Sequence, residues 1–271
     1  MNHAAMTSPI TAIPVLTYHD INRTFRMGIT RVTPDAFQQQ MEWLSRHGYQ
    51  SVLLSQVPEA PAGDKKLFSI TFDDAYHHLE YTARPVLQRM GFKSTLVVIV
   101  GFVGKANRWE ARLGGPVLKH MDYPTIQDWV RRGHQVACHG FTHRCLTGLS
   151  PQEMKHEISD AKTELEDRLG VEISVFVPAF GRINHHVAQV IAESGYRTIC
   201  LNTPPKQACQ GLPVIVRRGI HRSDTPGSFR RKIILGWDAK TNALGWKITH
   251  LCSGGTILAQ KIFGNKKSLE I

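Results

Sequence analysis

The sequence predicts an α/β fold in which a largely parallel sheet closes into one barrel. Short apolar bursts alternate with amphipathic stretches bounded by helix-start and helix-stop residues. Seven or eight such units follow one another over about 235 residues. No Ser/Gly linker, internal repeat or low-complexity segment interrupts them. A single closed barrel therefore fits better than two domains.

The elements read in order as follows. Ile13 to Tyr18 is the first strand. Thr33 is placed to cap a helix that opens at Pro34, and Gly48 stops it. Ser51 to Leu54 reads as a short strand, and Lys66 to Phe72 as a longer one ending in Asp73-Asp74. Tyr76 to Met90 has a helical pattern, with Pro85 predicting a kink or a short first half. Ser94 to Val100 is strongly β-branched and reads as a strand. Pro124 to Arg132 is a helix closed by Gly133, and His134 to Cys138 a strand. Ser150-Pro151-Gln152-Glu153 combines an N-cap, a first-turn proline and an acidic third position, which starts a helix running to Leu169. Strands at Ile173 to Val177, Arg197 to Leu201 and Leu212 to Val216 follow, with helices at Asn184 to Ser194 and Pro226 to Leu235. Beyond Leu235 the pattern weakens, and Asn242 to Ile271 reads as a hairpin with a basic tail. The expected organisation is an extension over 1–11, the barrel over 12–235 and the C-terminal segment over 236–271.

Composition narrows the class. With 271 residues, 42% hydrophobic and 20% charged, the chain is long enough to bury a core without a disulfide scaffold and too apolar for wholesale disorder. No run approaches the roughly 18 apolar residues of a membrane helix, and the N-terminus lacks a basic segment followed by an apolar one. The five cysteines are odd in number and have no CxxC spacing. A reducing, cytoplasmic setting is the expectation. The net charge of +11 makes anionic partners plausible. Basic residues gather at Arg217, Arg218, Arg222, Arg230, Arg231 and Lys232, and again at Lys261, Lys266 and Lys267. No aromatic-interleaved or zinc-finger spacing accompanies them, so no specific nucleic-acid partner is expected. A solvated basic surface is the ordinary reading, with peripheral contact to an anionic membrane surface as the alternative.

Barrel enzymes carry their chemistry at the C-terminal ends of strands. One strand here ends in Asp73-Asp74, another in His139-Gly140-Phe141-Thr142-His143, a third in Pro178-Ala179-Phe180-Gly181, and a fourth leads through Arg217 to His221. His139 and His143 are four residues apart, and on a helical turn both imidazoles would share a face. Asp73 or Asp74 would complete a site of two histidines and one carboxylate, the donor set of a hydrolytic metal centre. The second aspartate would then be free to act as a base. Capping of the following helix is the competing role for either aspartate. Cys138 alternates away from His139 and reads as a buried, inert thiol. Trp109 and Trp129 are possible sugar-stacking faces, with core packing as the commoner use.

These motifs make the sequence recognisable. Thr71-Phe72-Asp73-Asp74-Ala75 resembles the first motif of the polysaccharide deacetylase family (NodB homology, carbohydrate esterase family 4). His139-Gly140-Phe141-Thr142-His143, about 65 residues later, resembles its second. Pro14-Val15-Leu16-Thr17-Tyr18-His19 is similar to the opening of the chitin-deacetylase/xylanase-like branch, and Leu146 to Gly170 to the stretch after the second motif. The resemblance spans roughly residues 12 to 235. It implies a distorted (β/α)7-type barrel, a divalent metal, most often Zn2+, and hydrolysis of an N-acetyl group from an amino sugar with release of acetate.

Carried over position by position, the resemblance makes Asp74, His139 and His143 metal ligands and Asp73 the general base. Phe180 supplies a backbone N–H to the oxyanion, and Pro178 stands at a substrate-binding position. His19, which follows a strand end, is a further candidate for the substrate pocket, with a structural histidine as the competing role. The family's third motif often has an arginine that orients the base; Val177 stands there, and Arg182 is the nearby substitute. Phe180 replaces the motif's tyrosine. The general acid is usually a histidine near the barrel's end, which points to His221, with Asp224 placed to raise its pKa. The partner implied is an N-acetylated amino sugar in a polysaccharide, oligosaccharide or glycan precursor. Two other readings stay open. One is a metal-independent glycoside hydrolase, although adjacent aspartates suit the required carboxylate separation poorly. The other is a catalytically weak carbohydrate-binding barrel, suggested by the departures at Val177 and His221.

Overall fold

In the computed structural model the described residues are 13–24, 30–60, 65–107, 117–205 and 207–235. The 1–11 extension, Trp109, the late lysines and the 242–271 hairpin lie outside them.

Eleven strands are present among these residues: β1 (Val15–Tyr18), β2 (Asp20–Ile21), β3 (Arg31–Val32), β4 (Gln50–Ser51), β5 (Leu67–Asp73), β6 (Thr95–Val98), β7 (Gln135–Cys138), β8 (Val175–Phe176), β9 (Thr198–Leu201), β10 (Val214–Val216) and β11 (Arg218–Gly219). β2 and β3 form a separate two-stranded ribbon. The main sheet runs β10-β9-β8-β7-β6-β5-β1-β11, with β4 added beside the start of β5, and every pairing is parallel. Its two edges, β10 and β11, are separated in the chain by Arg217 alone. Chain continuity thus carries the sheet almost fully around. Counted as one bent strand, they complete a seven-stranded ring, the distorted barrel the sequence implies.

Alternation along each strand divides the core in two. One cluster takes Val15, Val97, Ala137, Val175, Cys200 and Ile215, one residue from each of β1, β6, β7, β8, β9 and β10, and fills the barrel interior. The other takes Leu16, Tyr18, Phe68, Ile70, Phe72, Leu96, Val136 and Phe176 and meets the surrounding helices. On β5 the inward positions are polar: Ser69, Thr71 and Asp73, all buried. Thr71 Oγ1 donates to Leu16 O (3.3 Å) and lies 3.1 Å from Thr17 Oγ1. A polar column therefore climbs one wall of an apolar interior and ends at Asp73.

The helices are α1 (Pro34–Arg46), α2 (Leu79–Thr82), α3 (Arg84–Met90), α4 (Tyr123–Arg131), α5 (Pro151–Lys155), α6 (Ala161–Leu169), α7 (His185–Glu193) and α8 (Pro226–Ile234). Side-chain caps hold several starts where the sequence places them: Thr33 accepts from Ala36 N–H, Asn184 from Val187 N–H, and Ser150 with Glu153 forms a full capping box. Pro85 has the predicted effect. The helical stretch splits into a four-residue α2 and a separate α3 whose second residue is the proline.

Three local expectations are corrected. The strand read at Ser51 to Leu54 is only Gln50–Ser51, and Leu54–Glu59 is a 3-10 turn. Leu54 and Val57 join the inner cluster, while Leu54 N–H donates to Thr95 Oγ1 and Ser55 N–H to Gln135 Oε1, at the starts of β6 and β7. The turn plugs the lower mouth of the barrel. The helix read from Tyr76 begins at Leu79, because Tyr76 is drawn into a bridge with His120. The helix read from Ser150 to Leu169 is continuous but contains a π-helical turn at His156–Asp160 between α5 and α6.

Candidate active site

At the C-terminal mouth, β5 ends with Asp73 facing inward beyond Ser69 and Thr71. The chain then turns sharply: Asp74 and Ala75 have φ of 68° and 45°. This left-handed pair swings Asp74 back to the same end of the barrel, where strict alternation would send it outward. Neither aspartate caps a helix, since His78 occupies the N-cap of α2 with no side-chain bond. The left-handed pair is held from behind by His120, whose Nδ1 donates to Asp74 O at 2.6 Å.

His139 and His143 come together, although not on a helical turn as the spacing suggested. They flank a tight loop with φ of 86° at Gly140 and 58° at His143. Their rings stand edge to face, 4.8 Å apart. Asp74 Oδ1 lies 3.9 Å from His139 Nε2 and 3.8 Å from His143 Nε2. The three potential ligand atoms fall within 4.8 Å of one another, and all three residues are buried.

The donor chemistry fits a divalent metal. His139 Nδ1 donates to Val177 O at 2.6 Å, which leaves the Nε2 lone pair facing Asp74. Burial pushes the His139 pKa down to about 4. Burial, followed by the nearby His139, His19 and His120, holds His143 well below the usual range. Both imidazoles are therefore neutral at neutral pH, the state a metal requires.

Asp73 is paired with Arg217. Arg217 Nη1 donates to Oδ1 at 2.6 Å and Nη2 to Oδ2 at 3.0 Å, a bidentate contact between two buried side chains. Nη1 also donates to Thr71 Oγ1 at 3.1 Å. Burial by itself would raise the Asp73 pKa; Arg217, His19 and His139 together overcome it and hold the carboxyl below its usual value. His19 Nε2 lies 3.8 Å from Asp73 Oδ2, so His19 does line the site.

Arg217 is the residue that the sequence reading missed. Val177, at the place of the missing arginine, is an inner-core residue whose carbonyl serves His139. Arg182 is exposed. Arg217 reaches Asp73 because the link between β10 and β11 lies beside β1 and β5 as the barrel closes. One signal was available: Arg217 directly follows the apolar Val214–Val216, the position at which other strands here present reactive groups. The surrounding basic cluster masked it as a solvated surface.

Phe180 sits in the 3-10 turn Ala179–Gly181 after β8, with φ of 60° and its ring 4.9 Å from that of His143. Pro178 is the N-cap of that turn. Four of the five non-glycine residues with positive φ among the described residues are Asp74, Ala75, His143 and Phe180. Backbone strain of roughly 1 kcal/mol or more at each is concentrated at this mouth.

His221 follows β11 and departs from expectation. Asp224 does not hold its imidazole. The carboxylate accepts from the His221 backbone N–H (2.7 Å), Lys232 Nζ (2.6 Å) and Ser228 Oγ (2.8 Å). Burial first, then the Lys232 charge, pushes the His221 pKa down to about 4. Cys138 faces the outer cluster as a thiol pushed up to about 12 by burial. Trp129 is core, its Nε1 donating to Glu80 at 2.7 Å.

A family model described as polysaccharide deacetylase matches residues 60–199, which include both motifs and the Asp74–His139–His143 cluster. The chain belongs to the polysaccharide deacetylase family. It is 26% identical over 189 residues to the Bacillus subtilis protein YxkH, covering 68% of this chain and 62% of that one. It is 28% identical over 138 residues to the peptidoglycan-N-acetylglucosamine deacetylase PgdA of Listeria monocytogenes, covering 50% of this chain and 26% of that one. The chain thus spans less than two thirds of the length of either relative. In fold it is similar to the Streptococcus pyogenes deacetylase PplD, with a TM-score of 0.70 at 23% identity over 83% of this chain and 99% of that one.

Proposed function

We propose that the protein is a metal-dependent hydrolase that removes N-acetyl groups from an amino sugar in a polysaccharide, oligosaccharide or glycan precursor. The observation that carries this reading is the pairing of Asp73 with Arg217 directly beside the buried Asp74–His139–His143 cluster. Family membership supplies the reaction class, and relatives such as PgdA supply the kind of substrate. Asp74, His139 and His143 would hold a divalent metal, with zinc favoured by the mixed imidazole–carboxylate set, and the metal would polarise the acetyl carbonyl as a Lewis acid.

The chain's own groups divide the remaining work. Asp73, kept ionised and oriented by Arg217, takes a proton from the attacking water. The Phe180 backbone N–H would donate to the oxyanion that forms on the carbonyl oxygen. His221 gives a proton to the departing amine. Its resting imidazole is neutral, so it must acquire that proton within the catalytic cycle. His19 and Pro178 border the sugar. The C–N bond breaks and acetate leaves.

The test is acetate release from short N-acetylglucosamine oligomers, with and without a chelator and after zinc is restored. Chelator-sensitive release that Asp73→Asn lowers by at least about a hundredfold is expected. Chelator-insensitive release of reducing ends would instead favour a glycosidase. Saccharide binding at full metal occupancy without turnover would favour a binding barrel.

A further inference from the structure

Glu157 is the one acidic side chain buried within the apolar stripe of its helix, among Met154, Ile158, Ala161 and Leu165. Only 2% of it is exposed, and no step proposed above uses it. It lies in the π-helical turn His156–Asp160. Such a turn widens the helix by one residue and re-aims the side chains on it. Part of its irregular backbone is satisfied by Tyr196, whose hydroxyl donates to Ile158 O at 3.0 Å.

The Glu157 carboxylate meets the loop between His139 and His143. Oε2 accepts the Phe141 N–H at 2.8 Å and the Thr142 N–H at 2.9 Å, Oε1 lies 3.2 Å from the same Thr142 nitrogen, and the Thr142 hydroxyl donates to Oε1. The carboxylate thus gathers two of the loop's three backbone donors and its one hydroxyl, while the Gly140 N–H donates to Cys138 Sγ at 3.4 Å. The loop's carbonyls are taken on its other side: Val100 N–H donates to Gly140 O at 3.1 Å and Gly101 N–H to Phe141 O at 2.8 Å. Gly140 is required twice over. Its φ is 86°, and a Cβ there would stand 2.9 Å from Glu157 Oε2. The three residues between the histidines are therefore matched, one by one, to Glu157.

We propose that Glu157 is a positioning residue for the metal centre: it holds the 139–143 loop so that the His139 and His143 imidazoles are already at ligating separation before any metal arrives. This rests on the reading of Asp74, His139 and His143 as metal ligands. The loop contains two left-handed residues, and without the carboxylate its Phe141 and Thr142 N–H groups lose the acceptor that satisfies them and that opposes relaxation of the strained backbone. Supports of this kind typically change metal affinity by 10- to 100-fold.

The experiment titrates the metal-free 271-residue chain with Zn2+ against a chromophoric chelator and records the visible spectrum of the Co2+ form. Wild type, Glu157→Gln, Thr142→Val, Gly140→Ala and His143→Ala are compared, with circular dichroism and a melting curve on each. Glu157→Gln keeps size and one acceptor oxygen but loses the two-oxygen grip. Its Zn2+ affinity should fall by about 10-fold or more, with an altered Co2+ band and native circular dichroism. Thr142→Val keeps the two backbone bonds and should lose less, and Gly140→Ala should resemble Glu157→Gln. Wild-type affinity and an unchanged Co2+ band in both Glu157→Gln and Thr142→Val would overturn the proposal and leave the metal site intact. Wild-type affinity in His143→Ala would overturn the metal site, and the role of Glu157 with it. If Glu157→Gln does not fold, Thr142→Val and Gly140→Ala decide between the same outcomes.

Discussion

Asp73 and Arg217 are both almost fully buried, and each is the other's principal counter-charge. Removing one charge leaves the other uncompensated in a dry interior, which typically costs about 3–5 kcal/mol. Arg217→Met should therefore destabilise the fold by about that amount in urea denaturation. Adding Asp73→Asn to it should recover most of the loss, because the stranded carboxylate is gone. Equal destabilisation of the single and double variants would refute the pairing. Arg217→Lys tests orientation separately. An ammonium supplies the charge but not the two-pronged grip, so acetate release should fall by on the order of a hundredfold while zinc content stays at the wild-type level.

At the scale of elements, the barrel is tied together by polar contacts between neighbouring strand starts as well as by its ladders. His134, at the entry to β7, accepts through Nδ1 from the Ser94 N–H at the entry to β6 (3.1 Å), and its ring lies tilted against Trp129 at 4.7 Å. Burial, followed by the charges of Lys93, Arg84 and Arg132, pushes its pKa down to about 4. The unfolded chain takes up this proton near pH 6.5 and the folded protein only near pH 4. The stability His134 confers is thus complete above about pH 6.5 and lost as pH falls toward 4, up to about 3 kcal/mol. His134→Asn keeps an acceptor for Ser94 without the titrating ring. The stability lost between pH 7 and pH 4.5 should be smaller in this variant by on the order of 2–3 kcal/mol, measured by denaturant melts at the two pH values; an equal loss would remove His134 as a cause. The same scale shows where local pattern misleads. The π-helical turn that aims Glu157 has no hallmark in the run Met154–Leu165, which reads as an unbroken amphipathic helix. His139 and His143 meet through a strained loop and not through the helical turn that their spacing suggests.

For the whole molecule, α8 closes the barrel's last gap. Phe229 packs edge-on against Trp43 of α1, Arg218 donates to Lys232 O, and Lys232 Nζ reaches Gly219 O and Asp224. A chain ending after Leu235 should retain the fold and acetate release, whereas one ending before Pro226 should lose both, as followed by circular dichroism and activity. Part of the basic charge noted in the sequence is structural, since Arg217 and Arg218 are buried and Arg217 is paired with Asp73. Weaker anion attraction than +11 suggests follows from this. Co-sedimentation with anionic liposomes should be weak at physiological salt and unchanged on removing residues after Asn265. No helix among the described residues is long and apolar enough to cross a membrane.

The repeating strand–helix order, most helix starts and the two motifs of the site are legible in the order of residues alone. These are local: caps, strand alternation and residue type act over a few neighbours and are written in the order of the chain. The sequence also singled out Asp73, Asp74, His139 and His143 as candidates that the fold brings together, because they stand at strand ends and strand ends converge in a parallel barrel. Which groups complete them depends on contacts made when the barrel closes. Arg217 reaches Asp73 across 144 residues of chain because β10 and β11 meet at the barrel's closure. Glu157 reaches the histidine loop because a helix widens by one residue at the right height. Asp224, three residues from His221, leaves that ring for Lys232 and the backbone, because α8 brings the lysine to it. Partnerships of buried charges depend on which surfaces the closed barrel brings within 3 Å, and separation in sequence does not encode that.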